Sequence, residues 1–207
     1  MDHYSTAVGG VIRLSSVPEI NLKKIDAKLG AFILGNSLEP KDTKFILARV
    51  KRGVINIVRE LELKNPDFSL QTIPYEELDR YKDELTDEQL ELLEGTLRNR
   101  DITFEAEQLL LSDNFDARRL GRLMNEHQKV LRDVLKISTE KIDNMIEAAL
   151  NAGAFGAKIN GSGGGGCMFA YAPENPERVL ESVKQISDAA WIVYSDEGTR
   201  EESSDDK

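Results

Sequence analysis

The chain has 207 residues and a formal net charge of −10, with 40% hydrophobic and 31% charged residues, a balance that fits a globular protein with a sizeable core. The acidic excess argues against nucleic acid and anionic membrane as partners, and no apolar run approaches the roughly 18 residues that span a bilayer. A single cysteine, Cys167, excludes an internal disulfide and makes a reducing cytoplasm the expected compartment; the N-terminus lacks the basic-then-apolar pattern of a signal peptide.

In chain order, Val8 to Leu14 and Gly30 to Leu34 read as strands, with Gly35-Asn36-Ser37 ending the second. Pro40 suits the first turn of a helix that carries Ile46, Leu47, Val50, Val54, Ile57, Val58 and Leu61 at helical spacing, until Asn65-Pro66-Asp67 breaks it. Residues 66 to 84 look irregular. Thr86 and Gln89 form a capping box, with Leu85 and Leu90 as staple, for a helix running toward Leu111. Asp116 to Leu135 is the clearest amphipathic helix, through Leu120, Leu123, Met124, Val130 and Leu131. Ser138 caps another through Leu150, with Gly153 past its end.

Ala154 to Ile159 and Met168 to Ala172 read as strands joined by a glycine loop. Asn175-Pro176 opens a helix with Val179, Leu180, Val183 and Ile186 inward, and Ala190 to Tyr194 is a final strand before an acidic tail, Glu197 to Lys207, expected to be disordered. This C-terminal order, with one earlier strand, could close a ferredoxin-like α+β sheet.

Five of the six residues from Gly161 to Gly166 are glycines, Ser162 being the exception. Successive residues without Cβ let backbone N–H groups converge and a ligand come close, an arrangement that suits phosphate. The letters match G-x-G-x-x-G, but that dinucleotide fingerprint must open a helix, and here the strand-length run Cys167-Met168-Phe169-Ala170-Tyr171-Ala172 follows. A Walker A loop would need Lys-Ser or Lys-Thr where Cys167-Met168 stands. A plain hairpin turn needs only one or two such glycines.

The words Gly156-Ala157-Lys158-Ile159-Asn160 through Gly166-Cys167 resemble the third motif of the GHMP small-molecule kinases, in the galactokinase-type branch. Gly121-Arg122-Leu123-Met124-Asn125-Glu126-His127-Gln128 through Asp133 resembles that branch's helix before the glycine loop. Met1-Asp2-His3-Tyr4 through Gly9-Gly10 resembles the segment carrying the catalytic aspartate of sugar kinases. The resemblance implies an α+β fold, a ferredoxin-like GHMP kinase C-terminal domain with added helices, preceded by a remnant of the N-terminal domain sheet. The implied units are 1–38 as that remnant, 39–195 as the C-terminal domain and 196–207 as the tail. The Arg-containing sugar segment and Gly-Leu-Ser-Ser-Ser phosphate loop of such kinases do not occur in the 207 residues, so the chain reads as the C-terminal half of a sugar kinase, inactive by itself.

By this resemblance Asp2 is the catalytic base that takes a proton from a sugar hydroxyl. Gly161, Ser162, Gly163, Gly164, Gly165 and Gly166 form the loop beside the transferred phosphate. ATP and Mg²⁺ are the implied cofactors, and the implied partners are a small-molecule sugar or sugar phosphate and a separate N-terminal half. The other reading is a non-catalytic sugar- or phosphate-binding module, or one half of a split kinase. His127, in phase with Leu120 and Leu123, reads as a buried histidine with one satisfied hydrogen bond. His3 adjoins Asp2, and on a strand the two would face opposite ways. Lys44, Arg49, Lys51 and Arg52 crowd one helix, where the run Asp42-Thr43-Lys44-Phe45-Ile46 lacks the tyrosine that contacts sugar in galactokinases. No spacing of His, Cys, Asp and Glu suggests a metal site.

Overall fold

A computed structural model describes residues 2–16, 19–41 and 43–200, with the backbone alone at 2, 43–47 and 49. The order is α1 (Asp2–Val8), β1 (Val11–Ser15), β2 (Asn21–Ile25), β3 (Phe32–Asn36), α2 (Thr43–Lys64), a 3₁₀ segment (Tyr75–Glu84), α3 (Asp87–Leu111), α4 (Ala117–Lys129), a π turn (Val130–Val134), α5 (Glu140–Asn151), β4 (Gly156–Ile159), β5 (Cys167–Tyr171), α6 (Pro176–Lys184) and β6 (Ala190–Val193). No helix is long and apolar enough to cross a membrane among the described residues.

Two sheets form. β1 and β2 make an antiparallel hairpin, while β4-β5-β3-β6 make a four-stranded sheet in which every pairing is antiparallel. β3, β4, β5 and β6 taken in sequence give the ferredoxin-like interleaving, with the α2–α5 stretch inserted between the first two. β3 falls within residues 1–38 and is nevertheless an inner strand of this sheet, flanked by β5 and β6.

Strand alternation divides the sheet into two faces. Ile33, Ala157, Ile159, Met168 and Ala170 are fully buried against Ile142, Met145 and Ala149 of α5 and Val179 and Val183 of α6. A Cβ on Gly35 would lie 2.6 Å from Met145 Cε, so a glycine in mid-strand lets α5 seat closely on β3. The opposite face, with Phe32, Phe169 and Tyr171, packs on Leu120 and Met124 of α4. A satellite core joins Ile57 and Leu61 of α2 to Leu93 and Leu97 of α3 and to Leu78 and Tyr81 of the 3₁₀ segment.

Local signals account for most boundaries. Thr86 and Gln89 close the expected capping box, with the Gln89 N–H donating to Thr86 Oγ1 at 3.3 Å and the Thr86 N–H to Gln89 Oε1 at 2.9 Å. Pro176 begins α6.

Other expectations need correction. Residues 2–8, read as leading into a strand, are helical, and β1 starts only after Gly9 and Gly10, at φ 62° and 64°. Asp2 and His3 are therefore helix neighbours, about 100° apart, and not strand neighbours on opposite faces. β2 was not anticipated, since Asn21-Leu22-Lys23-Lys24-Ile25 shows little apolar alternation. β3 runs through Gly35 and Asn36 instead of ending before them, and α2 begins at Thr43, beyond Pro40. Tyr75–Glu84, read as irregular, is a 3₁₀ run. Thr139, not Ser138, caps α5 by accepting from the Ile142 N–H. The 116–135 helix changes to π geometry at Val130, with the Leu135 N–H donating to Val130 O at 3.0 Å. Of the tail, Glu197–Arg200 is ordered against α1, the Thr199 N–H donating to Ala7 O at 3.3 Å; residues 201–207 lie outside the described residues.

Candidate functional site

The hairpin β4–β5 carries the glycine loop, closed at its base by the Asn160 N–H donating to Cys167 O at 2.9 Å. Gly161, Gly163, Gly164, Gly165 and Gly166 have φ between 69° and 112°, the region that side chains rarely adopt. Space also requires glycine. A Cβ on Gly163 would lie 2.4 Å from Ile137 O, and one on Gly165 would lie 2.9 Å from both Glu39 O and Pro40 O.

Two backbone walls hold the loop. On one side Gly164 N–H donates to Ile137 O at 2.7 Å. On the other, Ser37 N–H donates to Gly166 O at 2.8 Å and Gly166 N–H to Glu39 O at 3.3 Å. The walls are joined by Thr139, whose hydroxyl donates to the Glu39 carboxylate. The amides of Gly164 and Gly166 are thus spent on structure. Those of Gly161, Gly163 and Gly165 meet no backbone carbonyl among the described residues and are the donors available to a ligand.

Lys41, overlooked in the sequence, stands at the mouth of the loop. Its exposed Nζ donates to Asn160 O at 3.4 Å and comes within 3.7 Å of where a Gly161 Cβ would be. The loop amides and this cation gather several N–H donors and an ammonium at one place, an arrangement suited to phosphate oxygens. A lysine directly after Pro40, in the segment between β3 and α2, was the available signal.

The strand leading into the loop is held by α4. Asn125 Oδ1 accepts from the Ala157 N–H and buried Gln128 Oε1 from the Ile159 N–H, both at 2.9 Å. Gln128 in turn donates to Ser138 Oγ, and Ser138 to Asp143. Beside them, burial and then the Lys158 ammonium push His127 down to about 4, so it is neutral near pH 7; its backbone carbonyl accepts from the Val130 N–H, while its imidazole makes no side-chain hydrogen bond among the described residues. Burial also pushes the Lys158 amine down to about 8, while its Nζ donates to Ile159 O at 2.7 Å and lies 5.0 Å from the Phe169 ring centre.

The remaining candidates are not gathered here. Asp2 begins α1, whose bonds run to Lys24 and Thr199, and its side chain lies outside the described residues. Lys44 and Arg49 likewise have no described side chains, whereas Lys51 and Arg52 are exposed on α2. Among the described residues no group of three or more His, Cys, Asp or Glu is placed to hold a metal ion, and the magnesium implied by resemblance is assigned to none of them.

Residues 106–188 match the family model "GHMP kinases C terminal". A mevalonate kinase of Thermococcus gammatolerans is 43% identical over 100 residues, covering 46% of this chain and 30% of that protein. One of Methanothermobacter thermautotrophicus is 37% identical over 97 residues, covering 47% and 31%. Among solved structures, Lactococcus lactis galactokinase complexed with galactose overlays 93% of this chain and 52% of its own, with a TM-score of 0.78 at 19% identity. L. major mevalonate kinase in complex with R-mevalonate overlays 89% and 47%, with a TM-score of 0.57 at 19% identity. The matched segments take in about a third of the curated relatives and about half of the solved chains.

Proposed function

We propose that this chain, whose residues 106–188 match the GHMP kinase C-terminal model, supplies the acceptor-side wall of a small-molecule kinase, with the loop from Gly161 to Gly166 receiving the phosphoryl group. The carrying observation is the loop itself, held at positive φ between two backbone walls with Lys41 Nζ at its mouth. In this reading ATP, when bound, supplies the γ-phosphoryl group to an alcohol of the acceptor. The free amides of the loop and the Lys41 ammonium offset charge on the phosphoryl oxygens. The loop is fixed before any ligand arrives, so this stabilisation needs little reorganisation. Asp2 is the proposed base for the acceptor hydroxyl, a role that rests on resemblance alone.

Two acceptor classes have support. Overlay on a galactokinase over 93% of the chain favours a sugar, but likeness at 19% identity speaks for the fold alone. Identity of 43% to an archaeal mevalonate kinase across 100 residues favours a hydroxy acid such as mevalonate, and we adopt that class.

Isothermal titration with inorganic phosphate and with ATP tests the loop. Saturable binding is expected, weakened about tenfold by Lys41→Gln with the melting temperature unchanged, as befits an exposed cation on an anion. No binding, or binding indifferent to Lys41, removes the reading.

A further inference from the structure

Leu38 and Lys136, at φ 61° and 51°, are the non-glycine residues with positive φ among the described residues, and both stand against the glycine loop. Lys136 precedes the carbonyl that holds Gly164, and Leu38 lies between the two residues that hold Gly166. Leu38 is therefore the apex of a turn whose feet grip one glycine. Its backbone is fixed from within as well: Leu38 N–H donates to Asn36 Oδ1 at 3.0 Å, and Glu39 N–H to Ser37 Oγ at 3.3 Å. Ser187 Oγ donates to Asn36 O at 2.6 Å and anchors the turn to the segment that leads into β6. The side chain, by contrast, is 65% exposed.

Leucine is unfavourable at this position twice over. A left-handed φ crowds its Cβ, and its apolar surface faces water. Glycine or asparagine would take the same turn with neither disadvantage. Outliers of this kind persist where the surroundings over-determine them, and they cluster at ligand clamps.

We propose that Leu38 is the apolar contact for the acceptor molecule at the glycine loop, which selects an acceptor with aliphatic carbon beside its reacting hydroxyl over a fully hydroxylated sugar. Lys41, three residues on, brings a cation to the same glycine that the Leu38 turn grips, its Nζ 2.7 Å from where a Gly166 Cβ would lie, so a compound with an aliphatic body and an anionic group matches both. The inference rests on the reading of the loop as the phosphoryl site.

The test is titration of the chain with mevalonate, galactose and inorganic phosphate, for the parent and for Leu38→Ala and Leu38→Gly, with melting temperatures recorded in parallel. The expected result is tighter binding of mevalonate than of galactose. Both variants should weaken mevalonate about tenfold while leaving phosphate within about twofold. Leu38→Gly should melt at a slightly higher temperature than the parent, because the strain is relieved. A structural role would move stability and binding together; a contact with the acceptor moves them in opposite directions. If phosphate binds but mevalonate affinity is indifferent to Leu38, or galactose is preferred, the contact is wrong while the loop reading stands. If phosphate does not bind the parent chain, the loop reading fails and takes this inference with it.

Discussion

Gly121 of α4 and Gly156 of β4 touch backbone to backbone: a Cβ on Gly156 would lie 2.0 Å from Gly121 O, and one on Gly121 would lie 2.3 Å from Phe155 O. This contact brings the helix close enough for its amide side chains to act as an extra strand. Asn125 and Gln128 then satisfy the outward N–H groups of Ala157 and Ile159, which an edge strand would otherwise leave open. The strand that launches the glycine loop is fixed along its free edge by a helix.

Gly121→Ala forces a methyl into a carbonyl that belongs to the partner element, with no flexible side chain to yield. We expect a loss of about 3 kcal/mol or more, at the upper end of overpacking effects. Urea unfolding measures it through the midpoint, with the slope unchanged. A midpoint within experimental error of the parent would contradict the contact.

Gln128→Leu keeps the volume and removes the acceptor for Ile159 N–H. A buried donor left unpaired costs about 1–3 kcal/mol. The local signature is faster hydrogen exchange at the Ile159 amide than at Ala157, whose partner Asn125 remains. Uniform acceleration across β4 would instead indicate loss of the whole α4 contact.

His127 gives an acid-side prediction. Its folded value of about 4 lies below the ordinary 6.5, so between these values the unfolded chain binds more protons. The stability associated with its neutral form is complete above pH 6.5 and is lost as pH falls toward 4. The size is on the order of 2–3 kcal/mol. The cationic neighbour on the packed strand, Lys158, acts in the same direction. Urea midpoints for His127→Leu should therefore fall less than the parent's between pH 6.5 and 4; parallel curves would show that His127 titrates normally.

Much of this arrangement was legible in the residues, and the gaps have physical causes. Glycines in succession announced the loop because nothing else tolerates consecutive positive φ, and the Thr86–Gln89 box is local by nature. β2 was hidden because its five residues include two lysines and one buried side chain, Ile25, leaving no alternation to read. The fate of the loop amides was hidden for another reason. Ile137 and Glu39 are partners through backbone carbonyls, which carry no signature in a sequence, and Glu39 is more than a hundred residues away. Asn125 and Gln128 stood in a motif that could be recognised, while their work as an edge cap needed the Gly121–Gly156 approach to be seen.

The turn after the π segment offers a last test of how the loop is aimed. The Ile137 N–H donates to Leu131 O at 3.0 Å across the left-handed residue Lys136, and that reversal points Ile137 O at the Gly164 N–H. Lys136 itself is exposed, so only its backbone matters to this role. Lys136→Gly removes a left-handed penalty of about 1–2 kcal/mol and adds roughly 0.5–1 kcal/mol of chain entropy cost. The net expectation is a gain near 0.5–1 kcal/mol, read as a rise of roughly 2 °C in melting temperature, with phosphate affinity preserved. Lys136→Val, β-branched and strongly averse to positive φ, should do the reverse. It should destabilise the turn, withdraw Ile137 O from Gly164, and weaken phosphate binding along with stability. Equal melting temperatures for the glycine and valine variants would show that the left-handed turn does not aim the loop.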